Sequence, residues 1–169
     1  MTKVLIISDS HGLTDELLQI KKEHNLEYMI HCGDSELDLD SEEMEGFFKV
    51  AGNCDMDTRY PEEQTMEIDK IKILAVHGHL HNVKQNLLTA GYRAEELGAQ
   101  VICFGHTHVA GAQQVNDQLF INPGSIRQPR GRMEKTYAIM EWETPGEIDV
   151  TFYTLDGKEV KDLASHASI

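Results

Sequence analysis

The 169-residue chain is 40% hydrophobic and 26% charged, as is typical of a globular protein, so we expect one domain spanning residues 1–169. Its formal net charge of −14 argues against a surface that binds duplex nucleic acid, because such surfaces carry a basic stripe. No apolar run approaches the roughly 20 residues of a membrane span, and no signal peptide precedes the first apolar run, so we expect a soluble, cytoplasmic protein without a membrane partner.

The first third of the chain predicts a β-α-β unit. Val4–Ile7 and Tyr28–Ile30 are short apolar runs typical of buried strands. Between them, Thr14 is a candidate helix cap followed by two acidic residues and by apolar residues at helical spacing.

The middle of the chain predicts two hairpins, a helix and a strand. Residues 66–73 alternate around a polar pair, as do the residues flanking Asn116-Asp117. Apolar positions recur every three or four residues from Val83 to Leu97, and Gly98 would end that helix. The strand Val101–Phe104 follows, so the sheet should be mixed.

Towards the end of the chain, two strand-like runs between Thr136 and Val160 meet at a turn over residues 144–147. Residues 161–169 lack such a pattern, and we expect a loosely held tail there.

Five apolar runs end in residue types that bind metal ions. The carboxyl ends of strands in α/β sheets are where ligands bind, so these five ends could converge on one site. The residues are Asp9 and His11, Asp34, Asn53, His77, and His106 with His108.

These ligands are imidazole nitrogens and carboxylate or amide oxygens. The cysteines Cys32, Cys54 and Cys103 fit neither a disulfide framework nor a zinc ribbon. Without a thiolate cage, the set favours manganese, iron, zinc or nickel over calcium or structural zinc. It is too large for one ion. Two ions about 3.5–4 Å apart, bridged by Asp34, would use all the ligands and give a two-metal clamp for displacement at phosphorus, with a bridging hydroxide as nucleophile.

The ordered motifs resemble those of calcineurin-like metallophosphoesterases. The likeness spans Val4 to about Arg130. The cysteine in the third motif and the later Asn122-Pro123-Gly124-Ser125 resemble the sequences of the small bacterial and archaeal phosphodiesterase subgroup. It implies a four-layer α/β/β/α sandwich with two mixed β-sheets. The motifs are Asp9-Ser10-His11, Gly33-Asp34, Gly52-Asn53-Cys54-Asp55, His77-Gly78-His79 and Gly105-His106-Thr107-His108.

The resemblance also implies which ligands share an ion. Asp9, His11 and His108 would bind one metal together with the bridging Asp34, and Asn53, His77 and His106 would complete the other. His77 is preferred to His79 because it directly ends an apolar run. Two divalent ions per chain are therefore expected, with Mn²⁺ first and Zn²⁺, Ni²⁺ or Fe²⁺ as alternatives.

The resemblance implies catalytic roles for Asp34, Asn53 and Asp55. This sequence departs from the family pattern at Cys54, where most members carry a histidine that is thought to donate a proton to the leaving group or to hold the phosphate. Strong general-acid assistance is therefore in doubt. A nucleophilic Cys54 is the alternative, although no activating neighbour is visible.

Cys54, Arg127 and Arg130 are candidate substrate contacts; the two arginines would grip a phosphate bidentately, or else remain solvated loop cations. For four other residues we expect structural roles. We expect His31 and Cys32 to pack within a strand, and Asn122 and Ser125 to form a turn.

Together these features predict a phosphodiesterase that hydrolyses small phosphodiesters. The alternatives are a phosphomonoesterase, or a metal-binding scaffold like the retromer subunit that shares this fold. The partner would be a small phosphate ester, and a homo-oligomer is left open.

Overall fold

Two β-sheets stack face to face in the computed structural model, which describes all residues 1–169. The strands of the six-stranded sheet are β1 (Thr2–Ile7), β2 (Tyr28–His31), β3 (Phe47–Lys49), β9 (Thr136–Trp142), β10 (Glu147–Thr154) and β11 (Ser165–Ser168). Their order is β11-β10-β9-β1-β2-β3. The strands β1, β2 and β3 are parallel, and the other three pair antiparallel to their neighbours.

The second sheet has five strands in the order β4-β5-β6-β8-β7. They are β4 (Glu63–Ile68), β5 (Ile71–Val76), β6 (Val101–Cys103), β7 (Gly111–Val115) and β8 (Gln118–Asn122). Here β5, β6 and β8 are parallel, and the edge strands β4 and β7 belong to the two predicted hairpins. Both sheets are therefore mixed, as predicted.

Two helices of 10 residues each cover the outer faces, α1 (Asp15–His24) and α2 (Leu88–Leu97). Short 3-10 helices occur at Glu42–Met44, His79–His81 and Lys161–Leu163. None of the helices combines the length and the apolar character needed to cross a bilayer.

The last four residues of strand β1, Val4–Ile7, are all apolar because both faces of the strand are covered. Val4 and Ile6 point into the 22-residue core between the sheets, while Leu5 and Ile7 join the cluster under α1. All four are fully buried, because successive side chains of a strand face opposite sides and both sides are covered here. A third cluster lies under α2. This layering confirms the α/β/β/α sandwich.

The predicted start of the second helix is wrong. The helix begins at Leu88 and not at Val83, because Asn82 has a left-handed backbone (φ 55°) and residues 79–81 form a 3-10 turn. Val83 and Leu87 nevertheless pack against the cluster under α2. Their helical spacing reflected burial of the connecting segment, and not helical hydrogen bonding.

The prediction of a loose tail is also wrong. Strand β11 pairs antiparallel with β10, and Ala167 is buried in the core between the sheets. The Gln114 amide also donates a hydrogen bond to the Ser168 carbonyl, at 2.6 Å. The tail therefore closes one edge of the sandwich.

Candidate metal centre

The carboxyl ends of β1, β2, β3, β5 and β6 bring the seven predicted ligands together. Three strands come from one sheet and two from the other, so the residues meet at one end of the sandwich, between the sheets. Most of these side chains are buried, whereas Asn53 is exposed and His11 and His106 are half-buried.

One group of ligand atoms consists of Asp9, His11 and His108, whose nearest atoms all lie within 4.8 Å of one another. Asp9 Oδ1 is 3.1 Å from His108 Nε2 and 3.7 Å from His11 Nε2. The two histidine Nε2 atoms face each other at 3.3 Å. This is the first set implied by the family motifs.

A second group surrounds His77. Its Nε2 atom lies 3.1 Å from Asp34 Oδ2 and 2.9 Å from Asn53 Oδ1. Asn53 Oδ1 is also 3.1 Å from His106 Nδ1. Asp34 Oδ2 lies 3.9 Å from His11 Nε2, so it faces both groups. Asp9 Oδ1, 3.7 Å from His77 Nε2, is also shared, and the motifs did not indicate this.

Three of the histidines are oriented by acceptors on the side away from the centre. The Nδ1 atoms of His77 and His108 donate to the carbonyls of Cys32 (2.8 Å) and Gln128 (2.6 Å). His11 Nδ1 instead lies 2.6 Å from the Glu36 carboxylate. Such outer partners fix the tautomer of metal-binding histidines, so that Nε2 carries the lone pair.

The centre fits a cation on two grounds. Asp9 Oδ1 is buried without any hydrogen-bond partner, because His108 Nε2 approaches it without hydrogen-bond geometry. In addition, the lone pairs of His11, His77 and His108 point at carboxylate and amide oxygens, which are also acceptors. Acceptors that converge without donors require positive charge among them, which protons or metal ions can supply.

The pKa values show the same demand for positive charge. Burial favours a higher pKa for Asp34, but the His77 hydrogen bond and the charges around it lower that pKa to about 2. Burial opposes protonation of His77, yet contact with Asp34 and Asp9 raises its pKa. Burial and the neighbouring His77 lower the pKa of His106 to about 4, so His106 is a neutral imidazole near pH 7. These directions fit a site that holds positive charge among its carboxylates.

Asp55, which the sequence predicts to be catalytic, faces the backbone of the ligand loops. Its carboxylate accepts hydrogen bonds from the backbone amides of Gly52 (2.7 Å), Asp34 (2.9 Å) and Glu36 (2.8 Å). Both oxygens are thus occupied by the loops that follow β2 and β3. Asp55 therefore joins the Asp34 loop to the loop after β3, and we expect it to act by positioning Asp34.

Cys54 and the two arginines lie around the mouth of the centre. The Cys54 backbone amide donates to Asp34 Oδ1 at 2.7 Å, while its side chain is exposed. Partial burial and the Asp34 charge raise the pKa of this thiol to about 11, which argues against a thiolate nucleophile. Arg127 donates to the His11 carbonyl at 2.9 Å. Arg130 is exposed, and its backbone amide donates to the His108 carbonyl.

Two turn-formers of the sequence analysis also support the ligand loops. The Ser125 hydroxyl donates to the Asp9 carbonyl at 2.7 Å. The Asn122 amide donates to the Gly105 carbonyl and to the Thr107 hydroxyl. Their position at the end of β8 and directly after it, at the same end of the sheet, was the only signal in the sequence.

His31 is a third supporting residue that the sequence analysis assigned to strand packing. It is fully buried, and its ring bonds both the Ser10 hydroxyl (2.9 Å) and the Gly33 amide (3.1 Å). It therefore joins the two loops that carry Asp9 and Asp34.

The backbone at Gly105 lies very close to the Asp9 side chain. A Cβ atom there would overlap the Asp9 carboxylate and the Ser8 hydroxyl. We expect Gly105→Ala to displace Asp9 and to reduce metal-dependent turnover at this centre by about 10²-fold, a loss that a 1 Å misplacement can cause. Steady-state kinetics measure this. Gly111→Ala is the control, since a Cβ at Gly111 meets no atom within 4 Å. Equal activity of the two variants would contradict the expectation.

Comparisons with known proteins identify the family of this chain. Residues 2–145 match the calcineurin-like phosphoesterase superfamily domain. A probable metallophosphoesterase of Bacillus subtilis is 49% identical over 168 residues, which cover 98% of this chain and 99% of that protein. A phosphodiesterase of Methanocaldococcus jannaschii is 30% identical over 143 residues, covering 72% of this chain and 82% of its own.

The fold also has a similar solved structure. The crystal structure of a conserved protein from Streptococcus pneumoniae, described as a predicted phosphoesterase, superposes with a TM-score of 0.94. The two chains are 35% identical, and the match covers 99% of this chain and 98% of the other. With its fold, its cluster of metal-binding residue types and these relatives, the chain belongs to the calcineurin-like phosphoesterase superfamily, whose members bind divalent metal ions.

Proposed function

We propose that this protein is a phosphodiesterase that uses two divalent metal ions, with Mn²⁺ the first candidate, to hydrolyse small phosphodiesters. The observation that carries the proposal is the pair of adjacent ligand groups that share Asp9 and face Asp34. Asp9, His11 and His108 would hold one ion, and Asn53, His77 and His106 the other, with Asp34 contributing to both. When bound, such ions supply Lewis-acid activation of water and of the phosphate ester.

The donor atoms support the choice of metal. They are imidazole nitrogens and carboxylate or amide oxygens, and the buried thiols of Cys32 and Cys103 lie in the core between the sheets. This donor set suits Mn²⁺, with Zn²⁺, Ni²⁺ and Fe²⁺ as alternatives.

The residues at the mouth would bind and orient the substrate. One guanidinium nitrogen of Arg127 is bound to the His11 carbonyl, which leaves other N–H groups for a phosphate oxygen. The Arg130 side chain forms no ion pair and lies on the same loop. A diester carries one negative charge, and these two arginines would hold it beside the ligand groups.

The side chain at position 54 favours esters whose leaving group is itself acidic. Burial and the Asp34 charge raise the pKa of the Cys54 thiol to about 11, so it is a poor proton donor near neutral pH. The relative named a phosphodiesterase supports a diester over a monoester as substrate.

A proton donor at position 54 should change how the hydrolysis rate depends on the leaving group. We expect Cys54→His to accelerate alkyl esters more than nitrophenyl esters, since general-acid catalysis contributes typically about 10²–10⁴-fold and helps poor leaving groups most. Rates measured across esters of graded leaving-group pKa would show a shallower slope. Cys54→Ser should retain diesterase activity. A phosphocysteine trapped during turnover, or an inactive Cys54→Ser protein that still binds metal, would contradict this role.

The direct test is hydrolysis of bis(4-nitrophenyl) phosphate and 4-nitrophenyl phosphate by metal-free protein after addition of Mn²⁺, Zn²⁺, Ni²⁺ or Fe²⁺. We expect turnover of the diester to require metal and to exceed that of the monoester. His166→Ala is a suitable control, because His166 lies on the surface beside Asp149 and Glu147, outside the centre.

Two other results would replace the proposal. Faster turnover of the monoester would indicate a phosphomonoesterase. No turnover of either ester with any of the four metals would favour a metal-binding scaffold, although all seven proposed ligand residues are present in this chain.

A further inference from the structure

Three loops of the metal centre share an unusual backbone pattern. After β1, β2 and β6, two non-glycine residues separated by one position both have positive φ, a conformation that is sterically unfavourable for them and that clusters at functional sites. Five of the six residues are proposed metal ligands, and Glu36 is the sixth. The pairs are Asp9 and His11 (53° and 41°), Asp34 and Glu36 (58° and 57°), and His106 and His108 (69° and 61°).

Glu36 thus stands in its loop where His11 and His108 stand in theirs. Its backbone amide donates to Asp55 Oδ1 at 2.8 Å, which fixes the residue relative to Asp34. Its carboxylate lies 2.6 Å from His11 Nδ1, although the side chain is 42% exposed. An exposed glutamate held in a strained conformation against one histidine is not required by the packing of the core.

The partner of His11 differs from those of the other oriented histidines. His77 and His108 donate to neutral backbone carbonyls, whereas His11 faces a carboxylate. An anionic acceptor on one imidazole nitrogen increases the basicity of the other and holds the ring in place. His11 should therefore be a stronger metal ligand than His77 or His108.

We propose that Glu36 is a positioning residue that strengthens His11 and makes the Asp9–His11–His108 position the tighter of the two metal positions. This inference rests on the dinuclear centre of the proposed function. Glu36 is not assigned as a ligand of that centre, because it faces Nδ1, and His11 Nε2 is the atom directed at Asp9 and Asp34.

The test is a Mn²⁺ titration of the metal-free protein by calorimetry, with free Mn²⁺ followed by its paramagnetic resonance. Wild type should bind two ions with unequal affinities. Glu36→Gln, which keeps an acceptor without the charge, should weaken the tighter step by about 10-fold, and Glu36→Gly by about 100-fold, the range seen for outer partners of metal ligands. The weaker step should not change. Glu42→Gln is the matched control for loss of a nearby exposed negative charge and should alter neither step.

The melting temperature of the metal-free protein separates positioning from a structural role. Glycine adopts positive φ without steric cost, so Glu36→Gly should melt no lower than wild type while it binds metal more weakly. A structural role would instead lower the melting temperature. Unchanged affinity in both variants, or an equal loss in both steps, would overturn the role of Glu36. A wild-type titration with a single ion would count against the dinuclear centre itself.

Discussion

Asp34→Asn should reduce diesterase kcat/KM by about 10³-fold or more, a loss of roughly 4 kcal/mol of transition-state stabilisation, and should weaken metal binding at both positions. Asp34 Oδ2 lies between His77 and His11, one from each ligand group. Asparagine has nearly the same shape and can still accept from the Cys54 amide, which bonds Asp34 Oδ1. The substitution therefore removes the negative charge between the two positions and leaves the loop in place.

Steady-state kinetics and a Mn²⁺ titration of the same preparation measure both effects. Asp38→Asn is the matched control, because Asp38 is exposed in the same loop and its side chain contacts no proposed ligand. Near wild-type turnover of Asp34→Asn, or loss of only one ion, would show that Asp34 does not act on both positions. Asp9, whose Oδ1 atom also faces both groups, would then be the bridging candidate.

His77→Ala should reduce turnover by about 10²-fold or more, since it removes the buried ligand of the Asn53–His77–His106 position. His77 is 1% exposed, and its ring contacts Asp34 and Asn53 on one side and the Cys32 carbonyl on the other. The tighter position at Asp9, His11 and His108 should retain its ion. Kinetics and metal analysis after gel filtration measure the two effects.

His79→Ala is the matched comparison, and we expect less than about a 10-fold effect, as for a residue that is not a ligand. The His79 ring centroid is 5.4 Å from that of His77, so both substitutions change the same region. His79 lies in the 3-10 helix after β5 and is only half-buried. A larger loss for His79→Ala than for His77→Ala would mean that the register of the ligand motif is wrong by two residues.

The sequence predicts the location of the site because strand ends are encoded locally. An apolar run followed by Asp, His or Asn marks the end of a buried strand, and parallel strands end at the same edge of a sheet. The hairpin at Asp69-Lys70 was equally local, since both turn residues have the positive φ that a tight two-residue turn requires. Periodicity was less reliable at Val83, whose burial is real but whose backbone is not helical.

Contacts between distant segments could not be predicted in this way. Strand β11 has the sequence Ser165-His166-Ala167-Ser168, which shows no apolar alternation that would predict a strand. Its pairing depends on the free edge of β10 and on the Gln114 side chain from the other sheet.

The residues that support the metal ligands also depend on contacts between distant segments. Ser125 contacts Asp9 across 116 positions, and Glu36 contacts His11 across 25. Only the folded sandwich brings these pairs together. The motifs therefore predict which side chains are candidate ligands, whereas the partners that orient those ligands emerge from the tertiary structure.

The number of metal ions bound by active protein tests the account most directly. Metal-free protein should be equilibrated by gel filtration in buffer at saturating Mn²⁺, and the eluted protein should be assayed for diesterase activity and for metal content above that of the buffer. We expect two ions per chain and activity that follows occupancy of the second position. Full diesterase activity with a single bound ion per chain would contradict this expectation.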